Sequence, residues 1–432
     1  MNYEEARVYL DNVAKYGSVL GLANMRELLD RLGNPQDHLK FIHISGTNGK
    51  GSVLAYLSTI LKEAGYRVGR YISPTLFSYR ERIQVDESFI EKESLAKHTP
   101  RIRETIEQML ADGKPHPTQF EIETVLAFLY FLEQECDIVV LETGLGGAED
   151  ATNIIQTTLL EVLVSISMDH MQFLGNTLKE IAAQKAGIIK KNTAVVSVKQ
   201  MQEAMEVIEA KVQEQQCTLQ IADFEQAYDV EYGLTRQYFS YGGYEHLEIS
   251  LGGSYQIKNA VIAVEAVKAL QKLGFEMSEE ELRAGLLHTV WRGRFTVISR
   301  EPLFIMDGAH NRDAALKLRE SIEQYFMGRR IFYICGVFRD KEYEKVLETV
   351  APYCEAMIAI ETPGNPRALP AEELAETARR FIPRVETAES VAQAAGRALE
   401  MADRENDVIL AFGSLSFLGE MERAVKEIKE RK

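Results

Sequence analysis

The stretch His43–Ser52, "HISGTNGKGS", decides the fold of the N-terminal half of this chain. It overlaps an apolar segment, Phe41–Ser45, that predicts a strand, and it precedes Val53–Gly65, whose apolar spacing and closing glycine predict a helix. A strand, a glycine loop and a helix in that order form a phosphate cradle, because glycines let peptide N–H groups turn inward and the helix N-terminus carries partial positive charge. The expected nucleotide-binding residues of the loop are Thr47, Asn48, Gly49, Lys50, Gly51 and Ser52.

The spacing of this loop differs from the common phosphate-binding pattern G-x-x-x-x-G-K-[ST]. Only two residues separate Gly46 from Gly49, Gly51 takes the usual hydroxyl position, and Ser52 comes one residue late. A glycine-rich turn with an incidental lysine is the alternative interpretation, and the flanking strand and helix disfavour it. We expect Lys50 to reach the terminal phosphates of a nucleotide.

Composition narrows the class of protein. The chain has 432 residues, 46% hydrophobic and 26% charged, which is typical of a globular protein of two or three domains. A net charge of −16 argues against nucleic acid or a membrane surface as a partner, although a local basic pocket for anionic substrates is still compatible with it. The four cysteines form no C-x-x-C pair, and the N-terminal stretch is acidic and amphipathic, so we expect reduced core cysteines and a cytoplasmic location.

The order of apolar segments predicts two α/β domains. Runs such as Ile138–Thr143 and Glu161–Ser167 read as strands of a parallel sheet with helices on both faces. The aromatic- and glycine-rich region from Leu219 to Leu251 reads as antiparallel hairpins. We therefore expect an N-terminal, P-loop-type parallel-sheet ATPase domain with a small antiparallel β region (1–295), followed by a smaller Rossmann-like α/β domain (296–432).

The loop "GTNGKGS" resembles that of the Mur ligase superfamily, and most closely that of folylpolyglutamate synthases. Eight further blocks resemble this family in the family's order: "GLANMRELLDRLGNP", "YISPTLFSYRERI", "FEIETVLAFLYF", "ETGLGGAEDATN", "SMDHMQFLGNTLKEIAAQKAGIIK", "WRGRF", "DGAHN" and "FGSLSFLGE". The resemblance implies an ATP- and Mg²⁺-dependent ligase. Such an enzyme adds L-glutamate to tetrahydrofolate through a γ-linked amide and an acyl phosphate, and bifunctional members also accept dihydropteroate.

The resemblance also implies a metal site and a modified lysine. It assigns Ser73, Glu142 and His170 as magnesium ligands, and Lys185 as a catalytic lysine that is carbamylated. From the residues alone, Glu142 at the end of a predicted strand suits magnesium. His170 alone would be read as an ordinary hydrogen-bonded histidine, and Lys185 alone as an exposed helix lysine.

The remaining site residues are also implied by the resemblance. Asn259 would contact adenine, Arg294 phosphate and Asp307 ribose. His310 would lie, as a catalytic residue, where phosphate meets the incoming amino acid, and Ser414 would line the glutamate pocket. Without the resemblance, Asn259 could equally be a helix-start residue and Asp307 a turn former.

Departures from the family pattern leave the acceptor open. They are Ala23 and Asn24 for Glu-Arg, Thr75 for histidine, Ala148 and Glu149 for Arg-Leu, and Arg292 for proline. Two alternatives to a folylpolyglutamate synthase follow: a sister Mur-type amide ligase with another carboxylate acceptor, and an inactive nucleotide-binding module. The "SPTLFSYRERI" block favours folate, and the intact Lys50 opposes an inactive module. We expect a monomer.

Overall fold

The computed structural model describes residues 1–17 and 21–431. Its strands are β1 (Phe41–Ser45), β2 (Val68–Tyr71), β3 (Ile83–Val85), β4 (Ser88–Phe89), β5 (Ile138–Glu142), β6 (Thr158–Leu163), β7 (Ala194–Val198), β8 (Thr218–Ala222), β9 (Tyr228–Glu231), β10 (Gln237–Tyr241), β11 (Tyr244–Ile249), β12 (Thr296–Arg300), β13 (Leu303–Met306), β14 (Ile331–Cys335), β15 (Cys354–Ile360), β16 (Val385–Ala388) and β17 (Val408–Phe412).

The α-helices are α1 (Tyr3–Val13), α2 (Ala23–Leu32), α3 (Lys50–Glu63), α4 (Lys92–Ala111), α5 (Gln119–Glu133), α6 (Met171–Leu174), α7 (Leu178–Ala186), α8 (Gln202–Glu214), α9 (Tyr255–Lys272), α10 (Glu279–His288), α11 (Arg312–Phe326), α12 (Tyr343–Val350), α13 (Ala371–Ala378), α14 (Val391–Met401) and α15 (Leu418–Glu430). No helix in the described ranges has both the length and the apolar character needed to cross a membrane.

The first compact unit comprises residues 1–74, 80–227 and 259–288. Its eight-stranded sheet has the order β4-β3-β2-β5-β1-β6-β7-β8, and the six strands from β2 to β8 in this order run parallel. Every residue of the central strands β1 and β5 is buried. This agrees with the near-continuous apolar runs in the sequence, because both faces of a parallel sheet are covered.

The boundaries of the glycine-loop elements match the sequence closely. The strand predicted at Phe41–Ser45 is confirmed as β1. Helix α3 begins at Lys50, three residues before the predicted start. Gly49 takes a left-handed φ of 102° as its N-cap, and its carbonyl accepts from Val53 N at 3.0 Å.

Two strand predictions in this unit need correction. The segment Thr218–Ala222 is not part of an antiparallel hairpin, because it pairs in parallel with β7 at the edge of the large sheet. The strand predicted at Glu161–Ser167 instead spans Thr158–Leu163. The chain leaves the sheet after Leu163, where Ser165 O accepts from Thr47 N at 2.7 Å.

The second compact unit comprises residues 75–79, 228–258 and those from 289 onward. It holds the three-stranded antiparallel sheet β11-β10-β9 and a six-stranded sheet with the order β12-β13-β17-β14-β15-β16, in which only β12 runs antiparallel to its neighbour among the described strands. The fold class predicted from the sequence is therefore confirmed. The 295/296 boundary stays a prediction, because the compact units are discontinuous along the chain.

Candidate functional site

The glycine loop is held by close backbone contacts to the segment after β6. A Cβ on Gly46, where φ is 145°, would lie 2.3 Å from Val164 Cγ2 and 3.0 Å from Val164 O. Thr47 Oγ1 donates to Ser167 O at 3.1 Å, and Ser165 Oγ donates to Asn48 O at 3.0 Å. The loop is thus fixed by a close backbone approach that leaves no room for a side chain at Gly46, and by two hydroxyl hydrogen bonds. A rigid backbone of this kind is what a phosphate cradle requires.

Two lysine ammonium groups converge on one carbonyl oxygen of this loop. Lys50 Nζ donates to Gly46 O at 3.1 Å, and Lys185 Nζ donates to the same oxygen at 2.8 Å. Lys185 comes from α7, which begins with a capping box between Thr177 and Glu180. The two positive charges therefore lie together at the carboxyl end of β1, where α/β folds place their binding sites.

Lys185 is buried, with only 4% of its surface exposed. The interpretation of an exposed helix lysine, which the residue alone would suggest, is therefore wrong. Burial, followed by the positive charge of Lys50, lowers the pKa of its ammonium to about 7, while the charges of Asp169 and Asp150 act in the opposite direction. Near neutral pH, a large fraction of Lys185 is consequently an uncharged amine, which is the nucleophilic form.

Lys185 is brought to the loop by the tight packing of the segment after β5. A Cβ on Gly147 would lie 2.8 Å from Lys185 O and 3.0 Å from its Cα. Ser45 Oγ donates to Gly146 O at 2.7 Å, and a Cβ on Gly146 would lie 2.7 Å from Leu174 Cδ2 in α6. Gly147 thus lets the backbone of this segment approach that of α7 closely, and Gly146 makes room for the Leu174 side chain.

Ser73 and Glu142 meet at the same edge of the sheet. Glu142, the last residue of β5, is the register partner of Ile44 in β1, and Ser73 N donates to its Oε2 at 3.2 Å. A carboxylate and a hydroxyl are hard oxygen donors of the kind that Mg²⁺ uses, and Mg²⁺ completes its shell with waters and substrate phosphates. The two residues therefore fit a magnesium site, although the described residues hold no cluster of three or more His, Cys, Asp or Glu side chains suited to a metal.

His170 lies in the segment that leaves β6 and bonds to the glycine loop. It adopts a left-handed φ of 51° as the N-cap of α6, and its side chain is 36% exposed. Its Nε2 lies 3.8 Å from Asp169 Oδ2. The structure thus places His170 on an accessible turn near the loop, while its ligation of a metal stays a prediction.

Asn259 belongs to α9 and lies against the start of α3. A Cβ on Gly49 would lie 2.7 Å from Asn259 Oδ1. Asn259 is buried, as is Ser52 one turn into α3, whereas Gly51 is half-buried. The fold therefore brings Asn259 to the phosphate loop from 210 residues away in the sequence, as its predicted nucleotide contact requires.

Asp307, which follows β13 in the second unit, is a buried carboxylate with three donors. Its Oδ2 accepts from the Tyr255 hydroxyl at 2.6 Å and from Phe295 N at 2.9 Å, and its Oδ1 accepts from Ala309 N at 2.8 Å. Burial raises the pKa of the Asp307 carboxyl, while these donors and the Arg294 charge lower it. Asp307 is therefore more than a turn former, because it ties three separate segments together.

Arg294 and His310 flank this carboxylate. A Cβ on Gly308 would lie 1.9 Å from Arg294 Nη1, so the glycine makes room for the guanidinium. His310 Nδ1 donates to Gly308 O at 2.8 Å, which fixes the tautomer of the ring. Ser414, after β17, is buried, and its hydroxyl accepts from Ser416 N at 3.2 Å.

Two of the residues that depart from the family pattern, Arg292 and Ala148, make defined contacts with their neighbours. Arg292 Nη1 donates to Glu422 Oε1 at 3.1 Å, and its guanidinium lies 5.3 Å from the centre of the Phe77 ring. Ala148 N donates to Gln184 O at 2.7 Å, and a Cβ on Gly187 would lie 2.4 Å from Ala148 Cβ. Ala148 thus serves close packing, and nothing in the structure explains Thr75.

Sequence reasoning missed some residues that build the site. Ser167 accepts from the glycine loop through its backbone carbonyl, and Ser165 bonds to the loop through both its carbonyl and its hydroxyl, but neither serine stands in a recognisable local pattern. Tyr255 could have been noticed as an aromatic residue with a polar end at the start of a predicted helix. Its partner Asp307 is 52 residues away, and no local pattern links the two.

Comparisons with known proteins place the chain in a family. The Mur ligase middle domain matches residues 44–267, and the Mur ligase glutamate ligase domain matches residues 293–415. The dihydrofolate synthase/folylpolyglutamate synthase of Bacillus subtilis (strain 168) is 34% identical over 98% of this chain and 99% of its own length.

Solved structures agree with this assignment. Mycobacterium tuberculosis folylpolyglutamate synthase complexed with ADP has a TM-score of 0.89 and 28% identity, covering 98% of this chain and 99% of that one. Escherichia coli FolC in complex with DHPP and ADP has a TM-score of 0.85 and 29% identity, covering 100% of this chain and 98% of that one.

Proposed function

This chain belongs to the folylpolyglutamate synthase branch of the Mur ligase family. We propose that the glycine loop after β1 and the Asp307–His310 segment after β13 serve the ATP-dependent addition of L-glutamate to a folate. The relatives named above, which are folylpolyglutamate and dihydrofolate synthases, support an ATP-dependent ligase. The observation that carries the residue assignment is the convergence of Lys50 and Lys185 on Gly46 O. The Lys50 ammonium and the peptide N–H groups at the start of α3 suit a polyphosphate.

The chemistry that the site must support is the activation of a carboxylate. A carboxylate oxygen of the acceptor attacks the γ-phosphorus of ATP, the bond to the β-phosphate oxygen breaks, and ADP leaves. The amine of glutamate then attacks the acyl phosphate and loses a proton, and inorganic phosphate departs. In this scheme Lys50 neutralises charge on the transferred phosphoryl group, and the backbone N–H groups of the glycine loop orient it.

Glu142, Ser73 and His170 would hold Mg²⁺, which neutralises phosphate charge when bound. Glu142 and Ser73 support this proposal through their contact at the sheet edge. Removal of divalent ions with a chelator should weaken ATP binding, and the Glu142→Gln variant should need a higher Mg²⁺ concentration for half-maximal ATP binding.

Lys185 is proposed to carry a carbamate. Its buried amine has a pKa lowered to about 7, and the neutral nitrogen can attack CO₂, form an N–C bond and release a proton. The product is an anion beside Lys50, which removes the repulsion between the two ammonium groups. Enzyme incubated with ¹³C-bicarbonate should show a carbamate carbon signal by NMR that Lys185→Met lacks, and equal signals in both proteins would contradict the proposal.

Four residues of the second unit are proposed to bind the nucleotide and glutamate. Asp307 would accept from a ribose hydroxyl, and Arg294 would contact phosphate. His310 would lie near phosphate and the incoming amine, and Ser414 would line the glutamate pocket. The support is that Asp307 and His310 follow β13 and Ser414 follows β17, which are adjacent parallel strands, and that the Arg294 guanidinium lies beside Gly308.

One experiment tests the function and separates it from the alternatives. Purified protein with ATP, Mg²⁺ and glutamate is offered tetrahydrofolate and dihydropteroate separately, with products identified by mass. A mass increase of one glutamyl residue with ADP release is expected for tetrahydrofolate. Turnover only with a carboxylate acceptor other than these two would identify a sister ligase. The absence of turnover with every acceptor would identify an inactive nucleotide-binding module.

Isotope transfer tests the acyl phosphate. Acceptor with ¹⁸O in its reacting carboxylate should pass one label to inorganic phosphate for each amide formed. Label in AMP would show adenylation instead.

We further propose a monomeric, cytoplasmic enzyme, in keeping with its use of ATP and its four free cysteines. Light scattering would test whether the protein is a monomer.

A further inference from the structure

Tyr255 lies at the start of α9, and its hydroxyl donates to Asp307 Oδ2 at 2.6 Å. This contact is shorter than those that Asp307 accepts from Phe295 N and Ala309 N, at 2.9 and 2.8 Å. Burial raises the pKa of Tyr255 well above its usual value, so the hydroxyl stays protonated and remains a donor at neutral pH. Tyr255 is thus a permanent partner of the buried carboxylate.

The three donors are distributed unequally over the carboxylate. Oδ2 accepts from both the Tyr255 hydroxyl and Phe295 N, whereas Oδ1 accepts from Ala309 N. A carboxylate oxygen has two lone pairs, so Oδ2 is saturated while Oδ1 retains capacity for one more donor. By holding Oδ2, Tyr255 fixes the rotation of the carboxylate that presents Oδ1.

The same carboxylate also holds an unusual backbone turn. Phe295 has a left-handed φ of 45°, which is rare for an aromatic residue, and its N–H is bonded to Oδ2. The preceding residue is Arg294, whose guanidinium lies over Gly308. A carboxylate that rotated would release the turn and with it the backbone that aims Arg294.

We propose that Tyr255 is a positioning residue of the ligase, whose hydroxyl fixes Asp307 so that Oδ1 and Arg294 are oriented toward the nucleotide. This inference rests on the proposed nucleotide contacts of Asp307 and Arg294. Tyr255 acts through Asp307 and does not itself touch the nucleotide. The Tyr255→Phe variant removes one oxygen atom and leaves the ring, so it tests the hydrogen bond with little change in packing.

ADP affinity, measured by calorimetry, gives the first readout. Loss of a hydrogen bond to a charged group should weaken ADP binding by about five- to tenfold in Tyr255→Phe. The matched control is Tyr325→Phe, which removes a phenol hydroxyl that donates to Gln237 Oε1 at 2.9 Å in the same unit, from a ring 5.5 Å from that of Phe295. The control should bind ADP within about twofold of the wild type. Equal affinities in Tyr255→Phe and Tyr325→Phe would overturn the inference.

The pH dependence of ADP binding gives a readout that a purely structural role would not move. The titratable groups acting on Asp307 are Tyr255 from α9 and Arg294 from the turn before β12. Removing the Tyr255 hydroxyl takes a donor from the ionised carboxylate, which raises the pKa of Asp307. As the pH is lowered, ADP affinity should therefore begin to decline at a higher pH in Tyr255→Phe than in the wild type. Curves of affinity against pH that superimpose on the acid side would contradict the inference.

The Asp307→Asn variant separates this inference from the proposed nucleotide site. If Asp307→Asn binds ADP as the wild type does, the nucleotide role of Asp307 and the inference both fail. If Asp307→Asn is impaired and Tyr255→Phe is not, only the inference fails. The expected result is that both are impaired, and that the double variant is no worse than Asp307→Asn alone, because Tyr255 acts through the carboxylate.

Discussion

The glycine loop after β1 and the Asp307–His310 segment after β13 both join a buried strand to a helix, yet they are held in place by different means. The first loop is fixed by its backbone, since Gly46 packs on Val164 and two lysines bond to one peptide oxygen. The second is fixed by a buried carboxylate that collects donors from three segments. We therefore expect the first loop to be sensitive to added atoms and the second loop to be sensitive to lost hydrogen bonds.

The largest expected effect is on turnover, from the charge in the first loop. Lys50→Ala should lower kcat by about 10²–10³-fold, because a group aimed at developing phosphate charge is lost. Stability should change by less than about 0.5 kcal/mol, since the half-buried Lys50 Nζ bonds only to the Gly46 and Thr47 carbonyls in the described contacts. Lys62→Ala, in the same helix but paired with Glu87 at 2.6 Å, is the matched control and should keep full activity. Normal turnover in Lys50→Ala would remove its phosphate role.

The next effect tests the close backbone packing of the first loop. Gly46→Ala should lower the free energy of unfolding by roughly 2–4 kcal/mol, because its Cβ meets Val164 and its φ of 145° is strained for alanine. Gly33→Ala is the control, with a left-handed φ of 84° and nothing within 4 Å of the added Cβ, and should cost about 1 kcal/mol. Chemical denaturation measures both, and equal losses would show that conformational strain alone decides the stability.

The corresponding change in the second loop should act on binding more than on stability. In Gly308→Ala the added Cβ meets Arg294 Nη1, the end of a flexible side chain, and Leu415. The guanidinium can swing away, so we expect ADP affinity to fall about five- to tenfold while stability falls less than in Gly46→Ala. Calorimetry and denaturation of the same samples would check this, and a larger stability loss than in Gly46→Ala would break the comparison.

The last predicted effect is a pH dependence of stability that arises from Lys185. Its pKa is about 7 in the folded state and near 10.5 when unfolded, so the unfolded chain binds more protons between these values. In buffer free of CO₂, the wild type should therefore gain stability relative to Lys185→Met as the pH rises from about 7 to 9, by at most ~1.4 kcal/mol per pH unit. Below pH 7 the difference should level off. A flat difference across this range would show that the folded amine is not perturbed.

The sequence was most informative where function is encoded locally. The twelve adjacent residues 41–52 predict strand β1 and the phosphate-binding glycine loop, and the structure agrees with the predicted bounds of β1. The segment Thr218–Ala222 could not be placed, because whether a short strand pairs in parallel or antiparallel depends on a neighbour, here β7, that is distant in sequence.

In the candidate site, too, features encoded by adjacent residues were predictable, and features that depend on residues distant in sequence were not. Lys185 looks exposed from its helix pattern, and its burial depends on Gly147 and the glycine loop, which approach it from other segments. The bond from Tyr255 to Asp307 likewise depends on how residues 255–258, the first turn of α9, lie beside the end of β13, which no local pattern contains. The resemblance to a family supplied Lys185 and Asp307, but not the contacts that hold them.

The alternation of the chain between its compact units affects the order in which they can fold. Residues 75–79 belong to the second unit, where Leu76 packs against a cluster that includes Leu415 and Leu418. On the ribosome, this segment emerges tens of seconds before those partners at about 5–20 residues per second. The nascent first unit must therefore hold an apolar loop without its eventual partners, so the second unit cannot be completed before synthesis is nearly finished.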